Sequence, residues 1–250
     1  MPVVIVTGAS SGIGRAIALR LGRAGTTVVL AARRTDELET AAAEITAAGG
    51  SAVVVPTDVR DPAAITALVD RATAVTGRLD ALINNAGIGG VESILTEDRL
   101  VTKIVDVNLL APVRLMRAVV PIMRTQEAGS IVNIGSVAGE IGIGGMYSAT
   151  KFALRGMNDS VRRELAGSGI GVTLIEPGFI DTTPDRSRKN LPGPEIVAAA
   201  VEKALSRPRR RVVVPARYRA AITLANALPA LTDRLYAGRA ASRREAKGRP

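Results

Sequence analysis

The chain of 250 residues contains no cysteine, no histidine and no tryptophan, and aromatic side chains make up only 2% of it. Without cysteine there is no disulfide, no thiol nucleophile and no thiolate ligand. Without histidine there is no imidazole base and no zinc site of the Cys/His type. Most hydrolase mechanisms go with them, and acid–base chemistry is left to Asp, Glu, Lys and three tyrosines. The scarcity of rings also removes the stacking platforms on which single-stranded nucleic acid is held. No uncharged stretch near the C-terminus exceeds 220–232, which is short of the roughly 20 residues that a membrane span needs. A strand-like run, Val3-Val4-Ile5-Val6, follows Met1-Pro2 directly. No targeting peptide is therefore expected, and a cytoplasmic location is.

Apolar side chains make up 47% of the residues and charged ones 22%. That is ample for a buried core and unlike a disordered sequence. At this length the expectation is one large α/β domain. The net charge of +10 is unevenly placed: residues 1–185 carry 17 basic and 19 acidic side chains, residues 186–250 carry 16 and 4. The body is near neutral and the basic character belongs to the last quarter. No nucleic-acid partner is expected, since that function wants charge along a groove.

Short Val/Ile/Leu-rich runs recur at Val3–Thr7, Thr27–Ala31, Ala52–Pro56, Ala81–Asn84, Ser130–Ile134, Val172–Glu176 and Val212–Val214. Ala-rich segments with helical spacing lie between them, as in Ile13, Ile17, Leu21 and in Leu38, Ala42, Ile45. Near-continuous apolar strands alternating with helices imply a parallel sheet covered on both faces. Right-handed crossovers then give a doubly wound, three-layer α/β/α fold. Residues 1–215 are expected to form this single domain, and 216–250 a basic C-terminal extension. In such sheets ligands sit beyond the carboxyl ends of the strands, at the switch point.

Directly after the first run comes Thr7-Gly8-Ala9-Ser10-Ser11-Gly12-Ile13-Gly14, then a helical segment. Glycines there allow a tight turn and a close backbone approach, and the helix start offers N–H groups to a pyrophosphate. Its spacing is Gly-x-x-x-Gly-x-Gly. At the end of the second run an NAD site wants a carboxylate for the ribose hydroxyls. Here Ala31-Ala32 is followed by Arg33 and Arg34, whose planar donors suit a 2′-phosphate. The expected cofactor is NADP(H). Asp58-Val59 and Asn84-Asn85-Ala86-Gly87 end the third and fourth runs, where chain ends line the adenine and ribose side of a cleft.

The sharpest signal is Tyr147-Ser148-Ala149-Thr150-Lys151. Residues four apart share a helix face, so the ammonium is expected to favour the phenolate and lower a pKa that is near 10 unperturbed. Such a tyrosine exchanges a proton with a substrate oxygen near neutral pH. Ser136 follows the fifth run and offers a hydroxyl to a carbonyl oxygen gaining negative charge. Asn108 is a poor helix former inside a helical stretch, explained if its side chain or local backbone holds a water. After the sixth run, Glu176-Pro177-Gly178-Phe179-Ile180-Asp181-Thr182 makes a turn that can close over a nicotinamide, with the Thr182 hydroxyl toward it.

Together these pieces resemble the short-chain dehydrogenase/reductase family of classical type, over about residues 3–215. The glycine loop, Asn84 to Gly87, Asn108, Ser136, Tyr147 with Lys151, and Pro177-Gly178 match its pattern in order. The resemblance implies a Rossmann fold with a seven-stranded parallel sheet, hydride transfer between NAD(P) and an alcohol or carbonyl carbon, and a homo-oligomer, dimer or tetramer. By position it implies Tyr147 as general acid in reduction and base in oxidation. Lys151 also binds the nicotinamide ribose, Ser136 orients the substrate oxygen, and Asn108 holds a relay water. Gly8, Ser10, Ser11, Gly12, Ile13 and Gly14 cradle the phosphates, and Arg33 and Arg34 take the 2′-phosphate. Asp58 and Val59 meet adenine, Asn85 with Ala86 and Gly87 the adjoining ribose. Pro177, Gly178, Ile180 and Thr182 meet the nicotinamide.

Ser136 and Tyr147 stand 11 positions apart, two fewer than is usual in that family. The glycines of Gly142-Ile143-Gly144-Gly145-Met146 are expected to re-route the loop and still deliver the serine; otherwise Tyr147 is displaced, at a cost in rate. The substrate pocket is expected between Ile88–Ser93, Glu140–Met146 and Phe179–Leu191, whose mostly aliphatic character favours an apolar carbonyl or alcohol compound. Arg186, Arg188 and Lys189 are solvated there or attract an anionic group. Pro215 to Leu235 reads as a basic, partly apolar helix able to touch a membrane surface, and Arg239–Pro250 as a disordered tail. No metal is expected. Two other readings stay open: a dinucleotide-binding sensor or scaffold without turnover, and a lipid carbonyl reductase at a membrane surface.

Overall fold

All seven apolar runs form strands: β1 (Val3–Thr7), β2 (Thr27–Ala32), β3 (Ser51–Pro56), β4 (Ala81–Asn84), β5 (Gly129–Ile134), β6 (Ile170–Pro177) and β7 (Arg211–Val214). Between and after them lie α1 (Gly12–Arg23), α2 (Thr35–Ala47), α3 (Pro62–Thr73), α4 (Asp98–Val105), α5 (Ala111–Thr125), α6 (Gly145–Glu164), α7 (Glu195–Ser206) and α8 (Tyr218–Ala227). The computed structural model describes residues 1–89, 93–183 and 190–234. Arg186, Arg188, Lys189 and the tail 239–250 lie outside them.

The strands form one sheet in the order β3-β2-β1-β4-β5-β6-β7, every pair parallel. Alternate residues serve opposite layers, as the two-residue strand period requires. Val4 and Val6 pack with Ile17, Leu38, Ile45 and Val201 beneath α1, α2 and α7. Val3 and Ile5 pack with Leu68, Leu115, Val119 and Met123 beneath α3 and α5. The chain leaves β3 at one edge and returns across β1 to start β4, so the switch point falls between β1 and β4, where ligands of such sheets bind.

Local chemistry sets the helix starts. The Asp61 carboxylate accepts from the Ala63 N–H at 2.9 Å and Pro62 fills the first helical position of α3, a place where its missing N–H costs nothing. Thr7 staples the two switch-point strands: its hydroxyl donates to the Ile83 carbonyl at 3.2 Å and accepts from the Asn85 and Ala86 N–H groups, each at 3.0 Å.

α8 packs on the sheet end through Ile222 while Leu224, Leu228 and Leu231 stay exposed. Among the described residues no helix is long and apolar enough to cross a membrane, and no group of acidic side chains could hold a metal ion.

A buried amide chain crosses the sheet into α6. Asn84 donates to Asn133 at 2.8 Å, and Asn133 donates to Asn158 at 3.0 Å. Asn133→Ala strands a donor on one side and an acceptor on the other, and buried groups left so cost about 1–3 kcal/mol each. The expected loss of about 2–6 kcal/mol is read from urea unfolding of the variant against the parent.

Candidate active site

The loop after β1 is shaped by contacts that admit no side chain. Gly8 and Gly12 have φ of +68° and +55°, the left-handed region that favours glycine. A Cβ at Gly14 would stand 2.2 Å from the Gly8 carbonyl oxygen. The loop is therefore folded onto the start of α1, whose first N–H groups have no partner within the helix. Ser11 caps that helix without a side-chain bond. Its hydroxyl and that of Ser10 instead accept from Arg34 Nη2, at 2.9 and 3.0 Å.

Arg34, joined to Glu37 at 3.1 Å, is thus reached across from α2 to the glycine loop. Arg33 lines the same cleft, as do Asp58 and Val59. Asp58 is gripped by the Arg60 guanidinium, Nη2 to Oδ2 at 2.6 Å. That hydrogen bond, helped by the field of Arg33, holds its carboxyl near 2. Arg60 escaped the sequence reading, although an arginine two residues beyond Asp58 was there to be seen.

Asn85 is placed at the cleft but spends its side chain elsewhere: Nδ2 donates to the Thr7 carbonyl at 2.8 Å. That bond ties the β4 turn to β1, and Asn85 still lines the cleft. Ala86 and Gly87 line the cleft with backbone. A Cβ at Gly87 would come within 3.5 Å of Asn108 Oδ1 and 3.7 Å of Lys151 Nζ.

Ser136 starts a short 3-10 turn, Val137–Gly139, and its hydroxyl accepts from the Ala138 N–H at 3.1 Å. Tyr147 stands in the first turn of α6, entered through Gly145 at φ +52°. Ser136 and Tyr147 line the same cleft, and the serine hydroxyl is near enough to the phenol to pull its pKa down. Lys151 is buried, lies 5.8 Å from the Tyr147 ring centre, and donates to the Ile134 carbonyl at 2.9 Å. Desolvation lowers its pKa to about 8.

The sign expected for Tyr147 is overturned. Burial raises the phenol above its ordinary value, the Ser136 hydroxyl alone pulls it back, and Lys151 is not among the causes. The ammonium is turned to the end of β5 rather than to the phenol oxygen. Asn108 has its side chain engaged within the protein. It sits fully buried in a π-helical turn, Asp106–Leu110. Its amide accepts from the Ile88 N–H at 2.8 Å and donates to the Ile88 carbonyl at 2.9 Å and to Thr150 Oγ1 at 3.2 Å. Of the two possibilities for holding a water, the side chain is already engaged and the backbone of the turn is the one that stays open.

Pro177, Gly178, Ile180 and Thr182 line the opposite wall. Thr182 overhangs the glycine loop, since a Cβ at Gly12 would stand 3.3 Å from it. Ile88, Ile94, Ile143 and Phe179 form an apolar mouth that also holds Lys103; Ile94 and Lys103 carry no local sequence signal. Glu140, expected in that mouth, is instead buried against Arg155 and Arg211. The cleft encloses about 2190 Å³, more than the roughly 300–1,000 Å³ of a site for one drug-sized ligand.

Comparison with known proteins agrees with this geometry. The family model for short chain dehydrogenase matches residues 2–191. The ketoacyl reductase HetN of Nostoc sp. is 37% identical over 223 residues, covering 84% of this chain and 77% of its own. Among solved structures, a metagenomic short-chain oxidoreductase in complex with NADP superposes with a TM-score of 0.77 at 35% identity, covering 85% of this chain and 96% of the other. An actinorhodin polyketide ketoreductase variant with NADPH gives 0.79 at 30% identity, covering 85% and 95%. With a family model spanning most of its length and this sheet order beneath it, the chain belongs to the short-chain dehydrogenase/reductase family of oxidoreductases.

Proposed function

We propose that the protein is an NADP(H)-dependent carbonyl reductase with Tyr147 as general acid, acting on an apolar β-ketoacyl compound. The observation that carries this is that Ser136, Tyr147 and Lys151 line the same cleft as the glycine loop, Arg33 and Arg34. The residues present fit a phosphorylated dinucleotide. The loop has no room for a Cβ at Gly14, and the second strand ends in two guanidiniums where an acid would repel a 2′-phosphate. When bound there, the nicotinamide supplies the hydride.

The chain's own groups supply the rest. Ser136 donates to the substrate oxygen and so holds it beside the phenol. Burial keeps Tyr147 protonated at neutral pH, which suits a group that must give its proton to the oxygen as it gains charge. Lys151, fixed at the Ile134 carbonyl, carries positive charge below about pH 8, and its remaining N–H donors suit the ribose hydroxyls of the cofactor. The apolar mouth of Ile88, Ile94 and Phe179 supports an aliphatic substrate. The ketoacyl reductase name of a relative supports a β-keto group on it. Exposed Leu100, Leu110 and Phe152 support a homo-oligomer.

Two experiments test the reading. Tyr147→Phe is expected to lower kcat for ketone reduction by roughly 10²–10⁴-fold while NADPH affinity by calorimetry stays within about threefold. Retained turnover refutes the assignment of the acid. Replacing Arg33 and Arg34 with Ala is expected to raise KM for NADPH by roughly 10–100-fold, the worth of charge-assisted hydrogen bonds, and to leave KM for NADH nearly unchanged. Initial rates with both cofactors decide it, and equal effects sink the phosphate clamp. Binding of NADPH without oxidation on a broad ketone panel would instead favour a dinucleotide sensor.

A further inference from the structure

Behind the proton-handling groups lies a second set of ionisable side chains that faces away from the cleft. Glu140 ends the turn that Ser136 begins, and Glu176 precedes Pro177 at the end of β6. Both are buried, 4% and 1% exposed, and they share the Arg211 guanidinium. Burial, then the neighbouring Glu140, pushes Glu176 up to about 8 against the pull of Arg211 and Arg155. Those two arginines clamp the pair. Arg155 Nη1 lies 2.7 Å and Arg211 Nη1 2.8 Å from the same Glu140 oxygen, and Arg211 Nε lies 3.2 Å from Glu176 Oε2.

Every member bears on the catalytic turn. Arg155 follows Lys151 by four residues and Tyr147 by eight, on one face of α6. A Cβ at Gly135 would stand 3.3 Å from Glu176 Cγ, and one at Gly139 would stand 2.8 Å from the Lys151 carbonyl carbon. Gly135 and Gly139 flank Ser136 within the turn. Plain packing does not call for this chemistry: burying charged groups is costly, and apolar residues of similar size commonly stabilise as well or better. What ionic groups add is direction.

We propose that Glu140 and Glu176, held between Arg155 and Arg211, are positioning residues that fix the turn Gly135–Glu140 so that the Ser136 hydroxyl meets the Tyr147 phenol. Only the effect on kcat rests on the proposed function; the placement of the turn is read without it. The full chain, labelled with 13C-tyrosine, gives three tyrosine signals, that of Tyr147 being identified by its loss in Tyr147→Phe. Because Ser136 pulls the phenol down, Arg155→Met is expected to move the Tyr147 titration up by about half a unit to one unit. Arg155→Lys, which keeps the cation, is expected to restore it. Where wild type reduces a ketone, Arg155→Met should lower kcat about tenfold with NADPH affinity unchanged. The proposal is overturned if a folded Arg155→Met leaves Tyr147 in place, or if Arg155→Lys behaves no better than Met. Should Arg155→Met not fold, the near-isosteric Glu140→Gln decides by the same shift, and an unmoved Tyr147 there overturns it. Wild type that reduces no ketone would sink the proposed reaction yet leave the tyrosine measurement standing.

Discussion

The bond between the Lys151 ammonium and the Ile134 carbonyl is the contact on which the rest of the site depends. It joins α6 to the carboxyl end of β5, two residues before Ser136, and so fixes the distance between the elements that carry the two hydroxyls. A buried cation with a carbonyl as its partner is held at real cost, which appears as a pKa brought down to about 8. The same lysine's backbone is the floor against which Gly139 rests. One side chain and its own peptide unit thus set the turn, the helix and the phenol together.

Around this anchor the molecule separates its charges by depth. Arg33, Arg34 and the Asp58–Arg60 pair occupy the partly exposed end beyond β2 and β3, where solvent screens them and a phosphate can still be met. Glu140 and Glu176 are buried beyond β5 and β6, where little water reaches and direction counts more than strength. The parallel sheet is what permits this. With every carboxyl end on one side, residues distant in sequence open onto a single cleft, and the π turn at Asp106–Leu110 brings Asn108 to it from the layer below.

Much of this was legible in the sequence, and for physical reasons. Strands buried on both faces must be apolar throughout, so seven runs announced seven strands to within two residues at each end. Glycines at Gly8 and Gly14 announced the close approach because nothing else fits. The spacing of Tyr147 and Lys151 announced a shared face. What could not be read was the sense of effects that arise between distant segments. Whether Tyr147 is pushed up or down depends on how deeply the helix is buried, and on which way Lys151 turns. Nor did the sequence say that the amides of Asn85 and Asn108 bond to Thr7 and Ile88 within the protein. Glu140 and Glu176 are 36 positions apart, and neither has a neighbour in sequence that hints at the other.

Gly178 lies so near the Tyr218 ring that a Cβ there would be 2.2 Å from it. The first residue of α8 is therefore packed directly against the start of the wall that holds Ile180 and Thr182. Any side chain in place of the hydrogen at Gly178 would push the helix and that wall apart.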